Sequence, residues 1–167
     1  GVERVFSAQM ADPTFPVPLS AMQSKLTFED FSVGDELHPA DGIVIKTAPL
    51  RHPNGATAFR VEYDGNAVCY VTDTEHDPET PDPIILDFIE DADLVIYDCT
   101  YTDEEFPQKV GWGHSTWQEG IRLCRAANAK QLALFHHDPE HDDAEMTIIE
   151  QKAHATWSGA FAARDEM

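Results

Sequence analysis

Basic residues are scarce in this chain. Its 167 residues include 11 Lys and Arg against 31 Asp and Glu, which gives a formal net charge of −20. A field of this sign repels nucleic-acid phosphates and anionic membrane surfaces over a Debye length of roughly 8 Å in physiological salt. We therefore expect that neither nucleic acid nor a membrane surface is a partner of this chain.

Long hydrophobic runs are also missing. No stretch approaches the roughly 18 apolar residues that cross a bilayer. The opening GVERVFSAQMADPTFP does not show the basic, apolar and small-residue succession of a signal peptide. These absences predict a soluble, cytoplasmic protein. With 42% hydrophobic residues, the chain is long enough for one domain with its own core.

Cysteine is rare, and its spacing in the sequence does not suggest disulfides or a metal site. Cys69, Cys99 and Cys124 are odd in number, each lies in an apolar run, and none forms a CxxC pair. Free cysteine is among the most buried residue types. The three cysteines are therefore predicted to be reduced core residues with no metal or redox role.

Proline and strand patterns divide the chain. Three prolines between residues 10 and 24 remove backbone donors and fix φ, so residues 1–25 are predicted to be a Pro-rich loop or linker and residues 26–167 the domain. Asp64-Gly65-Asn66 is a tight-turn signal that predicts a β-hairpin. The β-like runs are LTFEDF (26–31), GIVIKTAPL (42–50), ATAFRVEY (56–63) and AVCYVTDT (67–74).

Helices and strands alternate in the second half. Asp82 is placed to cap a helix that begins near Pro83, Ser115 to cap one that runs to Ala129, and Asp142 or Asp143 to start a last one. Nearly continuous apolar strands lie between them, at 93–101 and 131–138. A β-meander followed by alternating helices and strands predicts a layered α/β sandwich.

Polar clusters follow four of the apolar strands. They contain His52, Asp73, Asp98 and the pair His136-His137, and a fifth cluster, GWGHST (111–116), directly precedes a helix. Singly, each has an ordinary alternative as a surface turn, a cap or a hydrogen-bonded pair. Imidazole and carboxylate groups at several adjacent strand ends are nevertheless what a zinc, manganese or iron site needs.

These clusters resemble, in order, the later motifs of the metallo-β-lactamase fold, and most closely those of its ribonuclease Z and phosphodiesterase branch. The resemblance covers about residues 42–142. The matching segments are PLRHPNGATAFRVEYDG, CYVTDTEH, LVIYDCTYTDEE and GHSTWQEGIRLCRAANAKQLALFHHDP. It implies that the fold is the C-terminal half of an αββα sandwich.

The resemblance also implies roles. His52 and His136 would each bind one metal ion, Asp73 would bridge both, and His114, oriented by Asp98, would be catalytic and not a ligand. The metals would be two zinc ions, with manganese or iron as alternatives. The alternative interpretation of His114 is that it is a loop residue that caps the following helix.

Two features depart from the family pattern. The defining HxHxDH motif is missing, since no HxH occurs in the 167 residues. Asp98 stands where the relatives often have the longer Glu. The implied function is metal-assisted hydrolysis, with a phosphodiester as the expected substrate, by a fragment that is inactive alone. Half a sandwich also leaves one sheet face bare, which predicts a homo-oligomer.

Two alternatives to a hydrolase remain open at this point. The chain could be a non-catalytic structural or regulatory half-domain, or a metal-binding module built on residues 136–143. The −20 charge favours a small ester or phosphodiester over a bulky RNA. His38, His76 and His154 are interpreted as surface or turn residues, with His76 lying nearest the site in sequence.

Overall fold

The computed structural model describes residues 1–165. It divides the chain into two compact units, Gly1–Ser32 and Val33–Met167. The first contains helix α1, Val2–Gln9, and a short 3₁₀ turn at Leu19–Ala21, so the segment predicted to be a loop is partly helical. The strand predicted over 26–31 was wrong. Leu26 and Phe31 are exposed there and the segment joins no sheet.

The strands of the second unit form one sheet within residues 1–165, and their order in space follows their order in the chain. β1 to β4 pair antiparallel, and β4 to β7 pair parallel. The strands are β1 Glu36–Leu37, β2 Val44–Leu50, β3 Ala56–Tyr63, β4 Asn66–Val71, β5 Leu94–Asp98, β6 Leu132–Phe135 and β7 Ala160–Ala162. The meander followed by alternating helices and strands is confirmed.

The predicted hairpin joins β3 to β4. Asp64 and Gly65 both have positive φ, 49° and 76°, as a two-residue turn between twisted antiparallel strands requires. Glycine adopts this conformation without strain, and aspartate tolerates it better than most residues.

The helices begin at side-chain caps. α2, Pro83–Phe88, is capped by Asp82, and α4, Asp143–Thr156, by Asp142. α3, Trp117–Ala126, is capped by Thr116, whose hydroxyl accepts a hydrogen bond from the Glu119 amide at 3.1 Å. The prediction that Ser115 caps α3 was wrong, because its hydroxyl is engaged elsewhere. α3 also ends before the predicted Ala129.

The core lies on one face of the sheet. β4 alternates between exposed and buried residues, and its Cys69 and Val71 side chains join a cluster with residues of α2, α3 and α4. The three cysteines are buried and unpaired. Burial raises the pKa of Cys69 to about 11 and that of Cys124 to about 12, which keeps both as thiols at neutral pH.

Large apolar side chains are exposed on the other face. Val61 and Val68 are register partners, and the rings of Tyr70 and Phe135 meet edge to face at 5.9 Å. Two copies of the chain are predicted to associate through this exposed apolar face. The homo-oligomer stays a prediction. Across residues 1–165, no helix is both long and apolar enough to cross a bilayer.

Gly120 is the point of closest approach between α3 and the sheet. A Cβ there would lie 2.9 Å from Cδ1 of Tyr97 and 3.2 Å from Cδ2 of Leu132. We expect Gly120→Ala to lower the free energy of unfolding by about 1–3 kcal/mol, because overpacking outweighs the roughly 1 kcal/mol gain in helix propensity. Urea unfolding measures it. Gln151→Ala, at an exposed position of α4, is the control and is expected within about 0.5 kcal/mol of wild type. A stabilised Gly120→Ala would contradict the packing.

Candidate metal-binding site

The site forms where strands β4, β5 and β6 end. Because these strands are parallel, their carboxyl ends meet at one edge of the sheet. Asp73 lies two residues beyond β4, Asp98 is the last residue of β5, and His136 directly follows β6. His52 arrives from the loop after β2, and His114 from the loop before α3.

Asp73 and His136 approach each other at this edge. Oδ1 of Asp73 lies 3.6 Å from Nε2 of His136. Both residues have positive φ, 63° and 59°, a conformation that costs a non-glycine residue free energy and is concentrated at functional sites. Their side chains are partly exposed, 42% and 36%, so a ligand in solvent can reach them.

Asp98 is the buried centre of the site. Its side chain is 0% exposed, and both carboxylate oxygens accept hydrogen bonds. The donors are the backbone amides of Asp73 (2.9 Å), Thr74, Thr100 and Ser115, the Thr100 hydroxyl (2.8 Å) and the His114 ring. These bonds replace the water that a buried carboxylate loses. They also join the segments that carry Asp73 and His114 to Thr100, whose hydroxyl lies 2.6 Å from the backbone oxygen of His136.

His114 is oriented by this carboxylate. Nδ1 of His114 donates to Oδ2 of Asp98 at 3.0 Å, so the shorter aspartate reaches the ring. The hydrogen bond to Asp98 and the nearby carboxylate charges raise the pKa of His114, and burial opposes them. The ring stacks on His136 with centroids 4.8 Å apart. The second ring nitrogen, Nε2, is not used in the bond to Asp98 and can therefore contact a ligand.

The loop before α3 packs tightly on His52. Gly113 has φ +90°, and a Cβ at this position would collide with the His52 ring and with Pro53. Oε2 of Glu75 accepts hydrogen bonds from the amides of Gly111 (2.6 Å) and Gly113 (3.1 Å). Glu75 thus fixes the loop that carries His114 against His52. Sequence reasoning did not single out Glu75, although it lies two residues after Asp73.

His76 was predicted to be a surface residue, and this was wrong. It is buried, stacks on Phe106 at 4.0 Å between centroids, and its Nδ1 lies 2.8 Å from Oγ of Ser115. The same hydroxyl meets the Tyr97 hydroxyl at 3.0 Å. These contacts explain why Ser115 does not cap α3. His38 and His154 are exposed, as expected.

The geometry brings together two overlapping sets of metal-ligating groups. His52, Asp73 and His114 form one, and Asp98, His114 and His136 form the other; within each set the ligand atoms lie within 4.8 Å of one another. Imidazole and carboxylate donors at this spacing suit zinc, whose ligand bonds are about 2 Å long. The donor set therefore fits a divalent metal at this edge.

The local alternative on residues 136–143 gains no support. His136 faces Asp73, whereas His141 pairs with Glu105 at 3.0 Å. Both ring nitrogens of His137 are buried without a hydrogen-bond partner among residues 1–165. In that part of the chain, no set of three ligands draws two members from this segment.

Comparison with known proteins identifies the family. Residues 7–137 match the model of the beta-lactamase superfamily domain. The chain belongs to this superfamily. It is 32% identical over 138 residues to ribonuclease Z of Haloferax volcanii, covering 83% of this chain and 39% of that protein. It is 34% identical over 88 residues to ribonuclease Z of Sulfurisphaera tokodaii, covering 53% of this chain and 28% of that protein.

The solved structures agree on the fold. The metallo-beta-lactamase fold protein YhfI from Bacillus subtilis superposes with a TM-score of 0.65 at 23% identity, over 80% of this chain and 52% of YhfI. The predicted fold class is thereby confirmed, and the sequence identities given above confirm the resemblance to ribonuclease Z. The chain spans about half of this structure and less than half of the curated relatives named above.

Burial of His76 predicts a pH dependence of stability. Desolvation lowers the pKa of His76 in the folded state, with nearby charges as smaller influences. The unfolded chain therefore binds more protons as pH falls below about 6.5, and stability present above that pH is lost. We expect the free energy of unfolding to fall less between about pH 7.5 and pH 5.5 in His76→Gln than in wild type.

Urea unfolding at the two pH values measures this difference. Burial lowers the pKa of His137 as well, so part of the dependence will remain in the variant. The exposed His154→Gln is the matched control and should follow wild type. An identical pH dependence in His76→Gln and wild type would show that the His76 ring is not buried in its neutral form.

Proposed function

We propose that this chain supplies part of the active site of a metal-dependent hydrolase that cleaves a phosphodiester. His52, Asp73 and His136 would be metal ligands, and His114, positioned by Asp98, would be the catalytic residue. The observation that carries the proposal is the pair of overlapping ligand sets that meet at His114, with His52 and Asp73 in one set and His136 beside the fully buried Asp98 carboxylate in the other. Membership of the beta-lactamase superfamily agrees with it.

The roles of the ligands follow from their positions. Asp73 lies within reach of both sides of the site, since it belongs to the His52 set and also lies 3.6 Å from His136. It is therefore assigned as the ligand shared by two cations, which fixes their spacing. Two zinc ions bound there would lower the pKa of a water molecule toward neutrality and neutralise charge on the scissile group; manganese or iron would serve similarly.

His114 is assigned to proton transfer because one of its nitrogens is already committed. Nδ1 donates to Asp98, which holds the ring orientation and favours the protonated form through the raised pKa of His114. Nε2 can then donate a proton to the departing oxygen or stabilise its developing charge. Asp98 itself is shielded from solvent and acts through His114, so it is a positioning residue.

The substrate is proposed to be a compact phosphodiester. A protonated imidazole and divalent cations at the sheet edge would attract an anionic group, whereas the −20 net charge disfavours a long phosphate backbone. The curated relatives are ribonucleases by name, so RNA is the other substrate to test. A small diester and a short RNA assayed side by side distinguish the two.

This chain alone is proposed to bind metal weakly and to lack turnover. Three ligands do not supply the charge and rigidity that two cations need. We expect no hydrolysis of bis-p-nitrophenyl phosphate by the purified 167-residue chain in the presence of zinc or manganese. Release of p-nitrophenolate, followed by absorbance, measures it. Turnover that disappears in His52→Ala would overturn this expectation.

The catalytic role of His114 is tested in a longer protein that joins this chain to an HxHxDH segment. There His114→Ala should keep its metal but lose roughly 10²- to 10⁴-fold in rate, as expected for removal of a general acid. His136→Asn, which tolerates the positive φ, should lose metal as well as activity. Elemental analysis and steady-state kinetics on the same preparations measure both.

The exposed His154→Ala serves as the control and should retain metal and rate. If His114→Ala loses metal in parallel with activity, His114 belongs to the ligand set with His52 and Asp73. If it keeps full activity, His114 has only a structural role in the loop before α3.

A further inference from the structure

A second group of cation-ligating side chains lies outside the strand-end site. Glu105 follows β5, just before the short 3₁₀ turn Phe106–Gln108, whereas His141 and Glu145 flank the start of α4. Each offers one ligand atom, and the three atoms lie within 4.8 Å of one another. The group shares no residue with either set at the strand ends.

The His141 ring is buried and directs one of its nitrogens to Glu105. Its side chain is only 5% exposed, and its Nε2 lies 3.0 Å from Oε1 of Glu105. Its Nδ1 is buried and has no hydrogen-bond partner among residues 1–165. Because Nε2 is the nitrogen directed to Glu105, it is the atom that a cation shared with Glu105 would meet.

Glu105 is held in place as a ligand would be. Its Oε2 accepts hydrogen bonds from the amide of Thr102 at 2.7 Å and from the Thr102 hydroxyl at 2.8 Å. These bonds fix the carboxylate and leave Oε1 directed to His141. Support of this kind around a ligating carboxylate lowers the entropy lost when a metal binds.

The charge of the group and its access from solvent also suit a cation. Glu105 and Glu145 place two carboxylates around one imidazole, and the chain as a whole carries an excess of negative charge. Glu145 is exposed at the first turn of α4, so a cation can enter from solvent on that side. The group is therefore closed to solvent on the side of the buried His141 imidazole and open to solvent on the side of the Glu145 carboxylate.

We propose that Glu105, His141 and Glu145 bind one divalent cation, zinc or manganese, at a site separate from the strand-end centre. One imidazole and two carboxylates suit both metals, and water would complete the coordination. The bound cation would join the loop after β5 to the start of α4. It would therefore stabilise the two segments that follow Asp98 and His136 without taking part in hydrolysis.

The test uses the 167-residue chain with the strand-end site disabled by Asp73→Asn and His136→Asn. Both replacements tolerate positive φ. After removal of metal with a chelator, zinc and manganese are titrated by calorimetry, and bound metal is counted after equilibrium dialysis. We expect one equivalent to bind in this background, and at least tenfold weaker binding when Glu145→Gln is added. The metal should raise the melting temperature of the background but not of the Glu145→Gln protein.

Glu140→Gln is the matched control, because Glu140 is an exposed carboxylate that precedes α4 but lies outside the group. It should bind like the background. Glu145 is exposed, so its replacement leaves the fold intact, which circular dichroism verifies. Absence of binding in the background, or equal binding by Glu145→Gln and Glu140→Gln, would overturn the proposal. Failure of the strand-end assignment would appear separately, as metal binding that Asp73→Asn and His136→Asn leave unchanged.

Discussion

The buried carboxylate of Asp98 is the constraint on which the site depends. An ion removed from water loses several kcal/mol of solvation unless donors replace it, and here the donors come from three stretches of chain that follow β4, follow β5 and precede α3. Each stretch also carries or contacts a candidate functional residue. The hydrogen bonds that the Asp98 carboxylate accepts therefore set the relative positions of Asp73, His114 and His136.

Much of the fold could be predicted because its signals are local. The turn at Asp64-Gly65 and the capping sequence Asp82-Pro83 each act within a few residues, and the structure contains both. The change in the spacing of apolar residues, from every second residue to helical intervals, predicted the order of strands and helices. The strand predicted over 26–31 failed for the complementary reason. An apolar segment becomes a strand only if a sheet edge is available to pair with it, and a short sequence window does not contain that information.

The candidate site was predictable only in part. His52, Asp73, Asp98 and His136 follow strands, and parallel strands bring their ends together, so the sequence pattern alone could suggest their convergence. The roles of Glu75 and His76 depend on hydrogen bonds to residues 36 to 39 positions later. No periodicity or short motif encodes such distant partners. Ser115 was misassigned for the same reason, since its hydroxyl meets His76 and Tyr97 and not its own helix.

The strand order has a consequence for how this sheet can be assembled. Because each strand lies beside the one that precedes it in the chain, every newly synthesised strand from β2 to β7 meets an edge that is already in place. Among the strands of residues 1–165, none has to insert between two others, and the longest connections are those that contain a helix. The sheet can thus grow in one direction during translation, from the antiparallel meander toward β7. Removal of β7 would make β6 the edge strand and leave the strands that carry the site paired with one another.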